Sequence, residues 1–515
     1  MHALSKASFP IQPGSPMKPN KLYLLPLTTL LSMLLTACGG GGGGDNGNAS
    51  DTSMDQQIAA NASNFFTPSV LLANLPDMPN DIASYASEPY NSYMNASAKG
   101  NDQASTKRPD IVKWYNAIRY ADPKDLYHNF DGSAPVYAEV PNWTKGQYRM
   151  GILGKAYLSN HIDYYNLLRA LFGGQRVFIS GYKEVASQAS SFSDLAGGHY
   201  PSKSTGEAAG MTGALFSAIY SGRSGSNLQG GVVNRNFNYA AATTLPRNSD
   251  LTSVWNEAAS GNIAGLGHRA AFMYAAARDI GVGIVAGFHS WEVYGDGPAS
   301  NNGGLLGAAA QQAIYDKWPR GPVPGGAMSW PSHGYFPFFV LNAANQGYSL
   351  STQGAYFSTP AKGEIITLKM EYFVHAKDGD LSQLQNPVQS ISVSAVAGQP
   401  NSGTGAINLL SGKPDYVNAE QIPNGASGAQ YEQGGGYYFT ASGSTIPFQW
   451  RMPQNWYNAM QADFKGLTPS FHTLRFTFSG SGAGFKVQKP FYMNPSVGAA
   501  LVIQTSFFDI RKQAN

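Results

Sequence analysis

The chain has 515 residues, of which 43% are hydrophobic and only 13% charged, with a net charge of +3. That length carries two or three domains and a sizeable core. The near-neutral balance, with no Lys/Arg run interleaved with aromatics, excludes nucleic acid as an expected partner. Cys38 is the single cysteine, which rules out an intrachain disulfide and leaves any metal in the folded body to His, Asp, Glu or backbone oxygen.

Lys18 and Lys21 precede an apolar stretch, Leu22 to Leu35, interrupted by Pro26, Thr28 and Thr29. It falls short of the ~20 apolar residues of a membrane span and reads as the apolar region of a signal peptide. Met17, just ahead of the charges, is a candidate start. The stretch ends in Leu35-Thr36-Ala37-Cys38, which resembles a bacterial lipobox. The resemblance implies a signal peptide over 1–37, lipidation of Cys38 and an N-terminal lipid anchor in a membrane. Gly39 rather than Asp follows the cysteine. By the same resemblance that directs the protein to the cell envelope, on the outer membrane of a diderm bacterium. The glycines of Gly39–Gly44 open a Gly/Asn/Ser/Ala-rich stretch, so 38–105 is expected to be a disordered tether.

Asp110 is expected to cap a short helix that begins Ile111-Val112-Lys113-Trp114. From 160 to 277 the pattern is mainly helical. Ile162, Tyr165, Leu168 and Phe172 recur at helical spacing, as do Tyr182, Val185, Ala189 and Phe192. Leu251, Val254 and Ala258 mark another helix behind an Asp250 cap, and His268 to Ala277 a further one. The pattern then changes to strands: Ile280 to Val285, with a hairpin partner at Trp291 to Tyr294. Residues 298–345 read as a Pro/Gly-rich connector. From about 346 the chain reads as strands alone, at Ile365–Phe373, Val388–Val396, Ile446–Arg451, Leu474–Phe478 and Leu501–Phe508, with spacing that suggests a β-sandwich.

Seven segments in order give the middle of the chain a family likeness. They are Tyr165-Asn166-Leu167-Leu168-Arg169, Val185-Ala186-Ser187-Gln188-Ala189, His199, Gly225-Ser226-Asn227-Leu228, Trp255 with Glu257, Gly267-His268-Arg269, and Ile280-Gly281-Val282-Gly283. This order, from His161 to about Asp296, resembles the CAP domain of cysteine-rich secretory, antigen 5 and pathogenesis-related proteins. The resemblance implies an α+β chain: an α-β-α sandwich over 106–345, with its lead-in and connector, then an all-β, sandwich-like domain over 346–515. It also implies a cleft in which His199, Glu257 and His268 converge as candidate metal ligands, beside Ser226 and Asn227. Ser226 stands where the family usually has glutamate. One carboxylate is then missing, and a divalent cation, zinc or calcium, is expected to bind weakly.

Asn166 and Arg169 are expected to be structural, and Arg269 to reach solvent. His161 is expected to point away from the core. His289, His333, His375 and His472 show no legible ligand cluster. No Gly-x-Ser-x-Gly elbow or His-Glu-x-x-His motif is present. The expectation is therefore an extracytoplasmic, membrane-anchored protein that binds rather than catalyses. Its target would be a lipid or other hydrophobic small molecule, a cation or a surface partner. The alternatives are a metal- or water-assisted hydrolase using the His/Glu cleft, and an adhesion module working through the β-domain.

Overall fold

The structure is a computed structural model. It describes residues 65–77, 108–116, 136–172, 176–193, 226–229, 248–256, 267–273, 279–285, 288–293, 326–341, 348–353, 364–375, 384–400, 407–410, 439–441, 448–450, 452–482, 484–486 and 500–510, with isolated residues between them. Over these residues the chain is α+β.

The first described segment is a strap, residues 65–77, that contains helix α1 (Pro68–Asn74). Pro68 opens that helix, where its missing N–H leaves no bond unmade. Helix α2 (Arg108–Asn116) follows, with Asp110 inside its first turn rather than at the cap. A carboxylate there still favours the positive end of the helix dipole. Strands β1 (Tyr137–Glu139) and β2 (Ile152–Leu153) then pair antiparallel, and the strap lies on them. Phe66 and Leu71 are buried, Met150 N–H donates to Phe65 O at 2.8 Å, and Thr67 N–H donates to Glu139 Oε2 at 2.9 Å. Lys155 pairs with Asp77 at 2.6 Å at the far end of the strap.

Helix α3 (Lys155–Leu171) is buried nearly all round. Only a narrow row, Lys155, Ala156, Ser159 and Asp163, is less buried, so most of the helix circumference faces the core. Its Asn166 fixes the chain that follows: Nδ2 donates to Val177 O at 2.9 Å, and Oδ1 accepts from Val177 N–H at 2.8 Å. Strand β3 (Phe178–Ile179) leads into helix α4 (Gly181–Ser190), whose Ser180 cap accepts from Lys183 N–H. Strand β4 (Ser226–Gln229), helices α5 (Asn248–Asn256) and α6 (Gly267–Phe272), and strands β5 (Asp279–Val285) and β6 (Phe288–Glu292) complete this part. Asp250 sits within α5, not ahead of it.

The sheet order is β3-β5-β6-β4, with β3 and β5 parallel and the other pairs antiparallel. Every residue of β5 is buried, which requires cover on both faces of the sheet. Strand alternation supplies it. Ile280, Val282 and Ile284 join the core cluster that contains α3. Gly281 and Gly283 face α4. A Cβ on Gly281 would lie 1.9 Å from Lys183 O, and one on Gly283 2.1 Å from Ser187 O. Glycine is what lets the helix backbone rest on the strand.

The second part is built on two sheets. Six strands run in the order β12-β11-β10-β15-β16-β8: β8 is Gly334–Pro337, β10 Ile365–His375, β11 Gln389–Pro400, β12 Ile407–Leu410, β15 Phe471–Gly480 and β16 Ala500–Phe508. Four run in the order β13-β14-β9-β7: β7 is Gly326–Trp330, β9 Tyr348–Gln353, β13 Phe439–Ala441 and β14 Phe448–Trp450. The central strands alternate as half-buried strands should. Met370, Phe476 and Ile503 align across β10, β15 and β16 and are buried. Trp450 of the smaller sheet packs edge-on against Phe476 and Phe478 of the larger, at 5.2 and 5.1 Å between ring centroids.

The strap departs from the sequence expectation of a disordered tether over 38–105, since Phe66 and Leu71 pack on the body instead. The second part departs from expectation in two ways. The region read as strands alone contains helix α7 (Gln454–Phe464), which buries Trp456, Tyr457, Met460 and Phe464. The segment read as connector supplies β7 and β8, which pair with β9 and β16. It also joins the two parts: Trp330 Nε1 donates to Asn256 Oδ1 at 2.9 Å, and Asn256 Nδ2 donates to Val340 O at 2.6 Å. One apolar cluster runs without a break from Ile111 to Ile510.

Candidate functional site

Cys38, His199 and Glu257 lie outside the described residues. Asn227 and Ser226 lie on β4, in register with Trp291 and Glu292 of β6. His268 stands at the start of α6 and is buried. Among the described residues no three His, Cys, Asp or Glu side chains gather as a metal site. The structure therefore describes one of the three proposed ligands and the strand that carries Ser226 and Asn227.

What it does describe is the polar framework around that region. His161 is buried rather than turned outward. Its ring stacks between Tyr157 and Trp291, and its Nε2 accepts from Trp291 Nε1 at 2.8 Å. That bond uses the nitrogen lone pair a metal would need. Arg269 also departs from expectation. It is fully buried, with Nε donating to Trp255 O at 2.8 Å and Nη2 to Asn256 O at 2.9 Å. These are the last carbonyls of α5, which no helical N–H reaches. Arg169 does the same for α6, with Nη1 on Phe272 O at 2.7 Å. Burial pulls its guanidinium below the usual range, with Tyr165 opposing, and burial pushes the Tyr165 hydroxyl up to about 12.

Along α4 one face is committed to the sheet. Lys183 and Asp279 form a buried ion pair at 3.2 Å, and Lys183 Nζ also donates to Asp279 O and Val293 O. Ser187 Oγ donates to Ser290 O and accepts from Glu292 N–H. Gln188 donates to Met150 O and Ile284 O and accepts from Ile284 N–H. Glu184 is buried too, and its Oε2 accepts from Val282 N–H at 3.0 Å. Its Oε1 has no hydrogen-bond partner among the described residues. Burial pushes this carboxyl up to about 8, against the pull of the Val282 amide.

Comparison with protein-family descriptions, curated proteins and solved structures yields no match for this chain. Its chemistry rests on its own residues.

A second polar cluster, not legible in the sequence, sits under α7. Tyr372 Oη bonds His472 Nδ1 at 2.7 Å, and His472 Nε2 bonds Asp463 Oδ2 at 2.8 Å. An ionised carboxylate can only accept, so Nε2 carries the proton and Nδ1 receives the tyrosine hydroxyl. Burial lowers the His472 pKa, with Asp463 opposing. Asp463 also accepts from Ser470 N–H, and Tyr372 stacks on Trp456. The cluster ties α7 to β10 and β15. Asp463 and His472 are close in sequence, but Tyr372 is far from both, so spacing alone could not reveal it.

Proposed function

We propose that the protein is an envelope-anchored binding protein. In this reading Cys38 carries the lipid anchor, and a CAP-like α-β-α domain presents a ligand cleft beside a β-sandwich-like unit. The observation that carries the reading of the middle domain is the burial of every residue of β5, with α4 on its glycine face and Ile280, Val282 and Ile284 in the apolar core on the other, within a sheet ordered β3-β5-β6-β4. The segment order from Asn166 to Gly283 agrees with it. The packing of Trp450 on Phe476 and Phe478 supports two sheets facing each other in the C-terminal unit.

The cleft would be formed by His199, Glu257 and His268, with Ser226 and Asn227 on the β4 edge. It would take a hydrophobic small molecule or, weakly, a divalent cation. Neutral imidazoles ligate, so cation affinity should fall below pH ~6.5. Purification from the host membrane, with elemental analysis and mass spectrometry of extracted ligand, tests the binding reading. Recovery of neither metal nor small molecule would overturn it. The anchor has its own test. Cys38→Ala is expected to move the protein from the detergent phase to the aqueous phase, because acyl chains contribute ~0.8 kcal/mol per buried methylene and nothing else is proposed to hold the membrane. Equal partitioning of wild type and variant would end the lipoprotein reading.

A further inference from the structure

Under the strap lies a small, partly open pocket. Phe66 and Leu71 of the strap form its roof, Met150 and Ile152 one wall, and Glu184 and Val185 of α4 its floor. It has room for about one water molecule. Glu184 is the one ionisable residue among those that line it. Gln188, the other polar one, is fully engaged with Met150 and Ile284. Glu184 has a single bond, from Val282 N–H to Oε2, and its Oε1 has none among the described residues.

Among the described residues no cation bonds Glu184, and a pocket with room for about one water solvates an ionised carboxylate poorly, so burial disfavours that state. Among the described residues, the cations on the neighbouring elements pair with other carboxylates, and besides Asp279 the other buried carboxylate near α4 is Glu292 of β6. Lys183 of α4 pairs with Asp279 of β5, Arg149 beside β2 with Glu139 of β1, and Lys155 with Asp77 of the strap. None of them bonds to Glu184. The strap itself is a separate, thin piece. Phe66 and Leu71, the partly buried Phe65, Val70 and Leu75, and a few rim bonds hold it, among them Arg149 Nη2 to Thr67 Oγ1 at 3.4 Å and Lys155 N–H to Asn74 Oδ1 at 3.3 Å.

We propose that residues 65–77 form a proton-dependent cover, closed while Glu184 holds its proton and lifted when Glu184 ionises and draws in water. The direction follows from linkage. The closed state holds the proton more tightly than an open, hydrated Glu184 would. Closure is therefore fully favoured below the open-state value of ~4.3 and is lost as pH rises toward about 8. Lifting the strap uncovers Phe66, Leu71 and Met150, an apolar surface.

Hydrogen–deuterium exchange on the full chain tests this. The reporters are the Met150 amide, which is bonded to Phe65 O, and the Leu71 and Leu75 amides inside the strap. In wild type, their exchange should steepen with pH by an extra factor of roughly ten per unit between about pH 5 and 8. Glu184→Gln keeps an acceptor for Val282 N–H but cannot ionise, so it should show only the intrinsic pH dependence. The Leu474 amide in β15 should behave alike in both proteins. Phe66→Ala, which hydrates Glu184 without removing it, should exchange fast at every pH and also lose the extra steepness. Equal pH slopes for wild type and Glu184→Gln would overturn the proposal. If Glu184→Gln does not fold, equal slopes for wild type and Phe66→Ala would do so instead.

Discussion

Lys183 and Asp279 sit out of water and pair with each other at 3.2 Å. Such a pair is costly to break and cheap to replace. Asp279→Ala leaves a buried ammonium and is expected to lower stability by about 3–5 kcal/mol. The double change Lys183→Met, Asp279→Leu should recover most of that loss. Urea midpoints at constant m-value measure both, and a double variant as weak as the single one would contradict the account. His472 offers a pH test. Its pKa is lowered by burial, so the unfolded chain binds the proton better, and the stability it contributes is lost as pH falls below ~6.5. His472→Gln is expected to be less stable than wild type at pH ~7, with the gap narrowing toward pH ~5. A gap that widens on acidification would show that His472 is held as the cation.

At the scale of elements, periodicity was informative where one signal dominated. Helices α3 and α4 follow from the spacing of Ile162, Tyr165 and Leu168 and of Val185, Ala189 and Phe192. Strands β5, β10, β15 and β16 follow from their apolar runs. Helix α7 was missed although Trp456, Tyr457, Met460 and Phe464 fall on one helical face, because strong strand patterns surround it. Strands β7 and β8 were missed because they are short and separated by Pro331-Ser332-His333, which reads as a loop. Of the proposed cleft, the residue types and their order were legible, but convergence of residues up to 69 positions apart, His199 to His268, is not fixed by any local pattern. The buried roles of His161 and Arg269 were hidden for a related reason. Each is decided by a residue distant in sequence or by a helix end, Trp291 in one case and the carbonyls of α5 in the other. Strands β7 and β8 also set a boundary prediction. A fragment of 106–345 carries both strands without β9 or β16 to pair with, and it exposes Trp330 and Phe336. It is expected to show no cooperative thermal transition, whereas 106–515 should show one. A sharp calorimetric peak from the shorter fragment would make the two parts independent.

For the molecule as a whole, the pairing of β8 with β16 has a temporal meaning. The Gln504 amide donates to His333 Nδ1 across 171 positions of sequence, and β16 fills the place between β15 and β8. A chain made from its N-terminus delivers β8 long before β16. Until that late strand arrives, β8 has an open edge, and Phe336 and Phe338 lack the ring of Phe507 against which they close. The middle of the protein must therefore wait, unfinished, for the residues translated near the end. A ribosome that stops short of β16 releases a molecule whose exposed edge and aromatic surface mark it for chaperones and proteases, so the fold itself proofreads the completeness of its own synthesis.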